Sequence, residues 1–467
     1  MASLDASIVL IALPTIGRTL PKTSPFDLIW VLIGYQLVVS AFLVNFGRLA
    51  DMLGRVRLYT LGFAVFTLSS ALCSLSQTGS QLVVFRMVQG LGAAFLFSNS
   101  AAILTDAFPF EERGRALGTN SVAIGIGSVL GLVLGGFLTA VAGWQSIFWV
   151  NVPIGIAATL WSHYRLKELS VRREGQRLDL VGNVTFAGGL IALLSGISLD
   201  AVAGENQYLV IGLTGAGLAT LCTFAFVEAR VKDPLLKLSL FRNRLFTGGI
   251  VASLLNALAR GCVLLVLVFY LQGPNMNLDP FEAGVFLLPN TAAIAFFGPL
   301  SGYLSDKRGS RLIATTGLAA SAIGLAILTQ LPAATTFWNL ALPLTLFGAG
   351  MGIFQSPNRS SVMSSVAPED RGVASGISTT VINLGMSTSR SLAFVIMALA
   401  IPVAVLDEMF AGNFGAGSGL FAANFVNGIH LVFLISTAFV LLSIIPSILR
   451  GKPTPTEKAE IPLAQGE

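Results

Sequence analysis

GRLADMLGRVR, residues Gly47–Arg57, is a short charged turn between two long apolar runs, with glycines at 47 and 54 and Asp51 between them. GYLSDKRG at Gly302–Gly309 repeats the pattern. Gly47, Leu49, Asp51 and Gly54 return as Gly302, Leu304, Asp306 and Gly309, a shift of 255 residues from Gly47 to Gly302. In a chain of 467 residues this spacing predicts two homologous halves. Two further pairs agree at a slightly larger shift: GLG at 90–92 with GAG at 348–350, and RGRALG at 113–118 with RGVASG at 371–376.

Composition places these halves in lipid. Hydrophobic residues make up 54% of the chain and charged residues 11%, well below the share of about one quarter usual in soluble domains. The net charge of +5 does not indicate a nucleic-acid partner, because the basic residues lie in short loops between apolar runs and report topology instead. Cys73, Cys222 and Cys262 sit inside apolar runs without CxxC spacing, and His163 and His430 are far apart, so neither a disulfide framework nor a metal site is expected.

A membrane-spanning helix needs about 20 apolar residues. Thirteen such runs follow one another from residue 28 to residue 449, and the stretch ASLDASIVLIALPTIGRTL at the start resembles a fourteenth whose inner part is missing, as from a start codon set too late or a trimmed chain. Most of the 28 Lys and Arg fall in alternate loops on one side, including both glycine turns and the tail; Arg18 and Lys22 fall on the other. The excess of positive charge predicts that both termini and both turns are cytoplasmic, in a multi-pass protein of the cell membrane. The expected architecture is all-α: a six-helix bundle over 1–166, an inserted helix pair with its flanking loops over 167–245, a second pseudo-symmetric six-helix bundle over 246–449, and a tail over 450–467.

The combination of motifs resembles the major facilitator superfamily, and within it the fourteen-helix drug:proton antiporter branch. GRLADMLGR is similar to the superfamily's turn between its second and third helices, and LVVFRMVQGLGAA at 82–94 to its fourth-helix motif. GTNSVAIGIGSVLGLVLGG at 118–136 resembles the antiporter glycine motif, with Leu132 where that motif has proline. LDASIVLIALP at 4–14 and FWVNVPIG at 148–155 resemble the branch's entries to its first and sixth helices. The resemblance implies a transporter rather than an enzyme, driven by protons. It also implies that Asp51 and Arg55, with Gly47, Gly54, Gly302, Asp306 and Gly309, form a cytoplasmic gate, and that Arg86 takes part in proton coupling.

Other candidates come from the cost of charge in hydrocarbon. Arg260 and Arg390 each lie near the middle of an apolar run, where a charge costs about 2.5–3.5 kcal/mol on insertion scales, so both are expected to face the interior. Asp5 is the one carboxylate expected at depth and hence the candidate proton carrier. Displacing Arg260 by the repeat offset sets it opposite Asp5, which predicts an Asp5–Arg260 pair across the pseudo-twofold axis. Gln36, Gln89, Asn256, Asn290 and Gln355 are candidates to complete a substrate cavity. Gly118, Gly127, Gly131, Gly135 and Gly136 are expected at close helix contacts.

No GxxxxGK[ST] loop appears, so nothing in the sequence points to ATP or another cofactor. The leading expectation is proton-coupled export of small amphipathic compounds by alternating access, in a monomer surrounded by lipid. The arginines and Leu132 favour a second reading, proton-linked import or exchange of an organic anion. A third, of another class, is a non-transporting membrane sensor.

Overall fold

The structure is a computed structural model. It describes residues 1–109, 112–169, 179–203, 207–228, 230, 237–273, 276–367, 371–400 and 419–450. Among them there is no strand.

The repeat read at the glycine turns reaches further back along the chain than the turns themselves. Helix α2 (Pro25–Leu53) opens with Ser24 as N-cap: its hydroxyl accepts from the Asp27 amide while the Asp27 side chain accepts from the Ser24 amide, with Pro25 in the first turn. Helix α12 (Pro280–Arg308) opens in the same way, with Asp279 and Glu282 as the reciprocal pair and Pro280 in the first turn. Both satisfy amides that have no partner within the helix. Both helices are 29 residues long and both end on a glycine with positive φ, Gly54 at 112° and Gly309 at 87°. Such backbone angles strain any residue with a Cβ. The next helix then starts at once, α3 (Arg55–Ser74) or α13 (Ser310–Leu328).

The remaining helices are α1 (Ala2–Thr19), α4 (Gly79–Ala107), α5 (Arg113–Ala142), the short α6 (Ser146–Trp149) and α7 (Asn151–Arg165), α8 (Leu180–Ala203) and α9 (Gln207–Glu228). Then follow α10 (Arg244–Arg260), α11 (Val263–Gln272), α14 (Phe337–Ser364), α15 (Arg371–Ala400) and α16 (Gly419–Leu449). Among the described residues, eleven spans are long and apolar enough to cross a membrane. The run over 246–271 is interrupted at Gly261 and Cys262. Gly261 packs so closely on α15 that a Cβ would lie 2.5 Å from the Met386 carbonyl oxygen.

Packing repeats as the sequence does. Helix α4 packs on α2 and α3, and α14 packs on α12 and α13; α1 lies along α5, and α10 along α15. The halves meet where α5 packs on α12 and α2 on α15, with α8 against both α2 and α15. Helices α1 and α11 are almost wholly buried at the centre, joined in one apolar core that runs from Ile8–Leu13 to Val263–Leu271. The perimeter carries exposed Leu68, Val141, Trp161, Tyr208 and Leu342, the surface of a chain whose solvent is lipid.

Candidate functional site

Asp5 lies in the first turn of α1 with no exposed surface, and α4 brings Arg86 to it. Arg86 Nη1 is 2.5 Å from Asp5 Oδ2, and both side chains are fully buried. The second carboxylate oxygen accepts from Gln89 Nε2 at 3.1 Å and Asn151 Nδ2 at 2.9 Å. Gln89 stands one helical turn after Arg86, so one face of α4 presents both. Its amide nitrogen also donates to Ser70 Oγ, and its oxygen accepts from Arg86. Arg86 Nε donates to the Val31 carbonyl at 3.2 Å, and the guanidinium lies 4.3 Å from the Tyr35 ring centroid. Five helices of the first half therefore converge on one carboxylate, and every oxygen of Asp5 is satisfied by the arrangement around Arg86.

This corrects the expected Asp5–Arg260 pair. The repeat relates α1 to α10 as equivalent helices, but equivalence places residues at matching depth, not in contact. Asp5 points into its own half, where stacking on Tyr35 fixes the partner cation. Gln89 is likewise removed from the candidate cavity, since both ends of its amide are engaged with Asp5, Arg86 and Ser70.

Arg260 instead lines a cavity in the second half with Ser253, Asn256, Gln355, Asn358 and Arg359. Its Nη2 touches Met386 Sδ at 3.3 Å. Among the described residues, all three ion pairs lie in the first half, so neither Arg260 nor Arg390 has a carboxylate partner there. Buried donors also stand unpaired: Asn256 Nδ2 and Gln355 Nε2 on the cavity wall, and Nε of Arg390. Arg390 bonds Gln36 Oε1, tying α15 to α2 across the halves. Asn290 is not on the cavity; it donates to the Leu344 carbonyl at 3.3 Å, because a Gly348 without a side chain lets α14 close on it. The cavity, about 80 Å³, holds a few waters rather than a drug-sized compound.

At the end of the molecule away from the glycine turns, the halves are joined tightly. Arg18 Nη2 donates to the Gln272 carbonyl at 2.7 Å, and Gln272 Nε2 donates back to the Ile11 carbonyl at 2.8 Å. A Cβ at Gly136 would sit 2.3 Å from the Pro280 carbonyl oxygen, and one at Gly284 would sit 2.7 Å from that of Leu132. Nearer the turns the same helix pair loosens: a Cβ at Gly125 would meet Ala295 at 3.8 Å, and one at Gly298 would meet nothing within 4 Å. Gly127, Gly131 and Gly135 face α1, at Ser3, Leu4 and Ile8 in turn. Gly118 lies on α5 in a stretch whose surroundings fall outside the described residues.

The sequence profile of the Major Facilitator Superfamily matches residues 1–389. The chain belongs to the major facilitator superfamily. It is 34% identical over 387 residues to a riboflavin transporter of Clostridioides difficile (strain 630), covering 83% of each chain. It is 26% identical to a tetracenomycin C resistance and export protein of Streptomyces glaucescens, over 98% of this chain and 91% of that one. A multidrug resistance protein of Bacillus subtilis (strain 168) is 29% identical over 90% of this chain and 81% of its own. In fold it is similar to an inward-facing bacterial homologue of the human lysosomal transporter Spinster, with a TM-score of 0.63 at 15% identity over 96% of this chain and 95% of that one. As a member of this superfamily the chain is a membrane transporter of small molecules and not an enzyme.

In this superfamily member the turn at Gly54 is an ionic cluster. Arg55 pairs with Asp51 at 2.8 Å and with Asp106 of α4 at 2.8 Å. Glu168 adds a cap that the sequence reading missed: its carboxylate accepts from the amides of Arg55 and Val56, each at 3.0 Å. Charge at a helix N-terminus is favourable there, since the first amides have no partner within the helix. No sequence pattern marks a cap supplied from 113 residues away. The positive φ requires glycine at 54, and a Cβ there would also lie 2.5 Å from Glu168 Oε2 and push that carboxylate aside. Replacing Glu168 with Ala is expected to lower stability by about 0.5–2 kcal/mol, as loss of a helix cap does, measured as a fall in melting temperature of the purified protein. Gly47 has open space around it, and Gly302 faces Ser356 Oγ. The Asp306 side chain lies outside the described residues.

Proposed function

We propose that this protein is a secondary active transporter that exports small amphipathic compounds in exchange for protons, by alternating access between two six-helix bundles. The bundles would span 1–166 and 246–449, with the pair over 167–245 inserted to make fourteen transmembrane helices and both termini in the cytoplasm. The observation that carries the coupling is the buried cluster of Asp5, Arg86, Gln89 and Asn151. The Asp5 carboxyl is enclosed by an arginine at 2.5 Å and two side-chain amides. In this reading a proton replaces Arg86 at Asp5, which links coupling to relative movement of α1 and α4. The tight junction around Arg18, Gln272, Gly136 and Gly284 supports a state closed on the outer side, and the loosening of α5 from α12 toward the turns supports access from the cytoplasm. The Asp51–Arg55–Asp106 cluster would latch the cytoplasmic side in the alternate state. Relatives named for drug resistance and export support the outward direction.

The cavity favours a second reading on substrate charge, proton-linked movement of an organic anion. Unpaired donors on Asn256 and Gln355 beside Arg260 suit a compound rich in hydrogen-bond acceptors or carrying an acid group. The experiment for both readings is transport in proteoliposomes under an imposed pH gradient, with and without an uncoupler. Export requires that loss of the gradient abolish accumulation; movement of substrate that ignores the gradient would refute the coupling. Arg260→Gln is expected to raise the KM for an anionic compound about tenfold or more while leaving a neutral one within about twofold, since a charge-assisted bond contributes about 1.5–3 kcal/mol.

A further inference from the structure

A second basic site lies outside the cavity, on the flank of the second half near the glycine-turn end. A groove of about 460 Å³ runs between α10 and α16, lined by Phe241, Arg244, Val251, Pro446, Leu449 and Arg450. Its polar end carries two arginines. Arg450 follows directly on the last residue of α16 and is 97% buried, since it is only 3% exposed. Its Nη1 donates to Asn358 Oδ1 at 2.6 Å and Nη2 to the Ser310 carbonyl at 3.2 Å, but Nε has no partner among the described residues. Burial, and then the nearby Arg311, push the Arg450 guanidinium down to about 10, so it remains a cation at neutral pH. No carboxylate among the described residues pairs with either arginine.

The other end of the groove is apolar and opens outward. Leu449 and Val251 on its walls are exposed, and Leu442 and Ile445 continue an exposed stripe along α16. Residues 442, 445 and 449 share one helix face, so the groove passes into a surface that meets lipid tails.

We propose that this groove holds an anionic phospholipid, with its phosphate against Arg244 and the free Nε of Arg450 and an acyl chain along the α16 stripe. The charge is complementary and the order of polar and apolar ends matches that of a lipid crossing the interface. A free phosphate would use only the polar end and leave the apolar wall bare. The site also adjoins the cavity wall. Asn358, held by Arg450, donates to the Gly249 carbonyl and to Ser253 Oγ, and both Ser253 and Asn358 line the cavity.

The test uses the full chain purified in detergent, titrated with dioleoylphosphatidylglycerol, dioleoylphosphatidylcholine or inorganic phosphate, with bound lipid counted by native mass spectrometry and stability read by melting. Phosphatidylglycerol is expected to bind and raise the melting temperature, and the other two to do neither. Arg244→Gln is expected to weaken phosphatidylglycerol binding about fivefold, Arg244→Lys to restore most of it, and Lys22→Gln at the opposite end to leave it unchanged. Equal binding by Arg244→Gln and the parent overturns the site. So does an equal response to phosphatidylcholine, which would mark nonspecific annular lipid, or a full response to phosphate alone, which would mark a simple anion site. Because binding and melting are read without transport, the result is independent of the proton-coupled export reading.

Discussion

Asp5→Asn is expected to destabilise the protein by about 3–5 kcal/mol and to reduce proton-driven transport to background. The stability loss follows from stranding Arg86, a buried cation whose carboxylate is 2.5 Å away. Removing both charges at once, as Asp5→Leu with Arg86→Met, is expected to recover most of the stability, because a buried ion pair contributes little over an apolar pair of similar volume. The double variant should nevertheless remain uncoupled. Melting curves for the two single variants and the double, together with transport driven by a pH gradient, separate the two roles. A stable double variant that still couples transport to protons would remove Asp5 from the proton path.

Gly136→Leu carries the second large effect. The missing side chain brings α5 onto the start of α12, with 2.3 Å from a built Cβ to the Pro280 carbonyl, an obstacle that is backbone and cannot rotate away. Overpacking of this kind costs about 1–3 kcal/mol, borne only by the conformation in which the two helices touch. Each 1.4 kcal/mol is a factor of about ten in population, so the equilibrium should move by about fivefold to a hundredfold toward the state parted at that end. Spin labels at Lys22→Cys and Asn277→Cys, in the loops flanking the junction and with Cys222 replaced by Ser, report the separation. A longer distance is expected for Gly136→Leu. The same substitution at Gly212 of α9, where a Cβ meets nothing within 4 Å, should leave it unchanged.

The repeat at the glycine turns was legible because both copies need the same backbone. A helix that stops and restarts within one residue demands positive φ, and Gly54 and Gly309 supply it. The capping boxes at Ser24–Asp27 and Asp279–Glu282, S-P-F-D and D-P-F-E, share the repeat's spacing, but their pairing emerged only with the helices. Charge in apolar runs singled out Asp5, Arg260 and Arg390, and the resemblance singled out Arg86. What the sequence could not convey was who pairs with whom. Arg86 reaches Asp5 because Tyr35 and the Val31 carbonyl fix its guanidinium, and those contacts depend on how far α1, α2 and α4 rotate about their axes. Glu168 was hidden for the same reason, as was the close contact with α15 that accompanies the break at Gly261.

The contact between α5 and α12 is tightest at Gly136 and looser at Gly125, where a built Cβ would meet Ala295 at 3.8 Å. Two stiff rods pressed closest at one end make a lever with its fulcrum at Gly136. From there α5 runs back toward the turns for about 35 Å at about 1.5 Å per residue. One degree of tilt at the fulcrum then carries the far end through about 0.6 Å. Residues at the narrow end thereby set the width of the opening at the other, which explains why glycines, able to lie backbone against backbone, occupy the place where the least movement has the greatest reach.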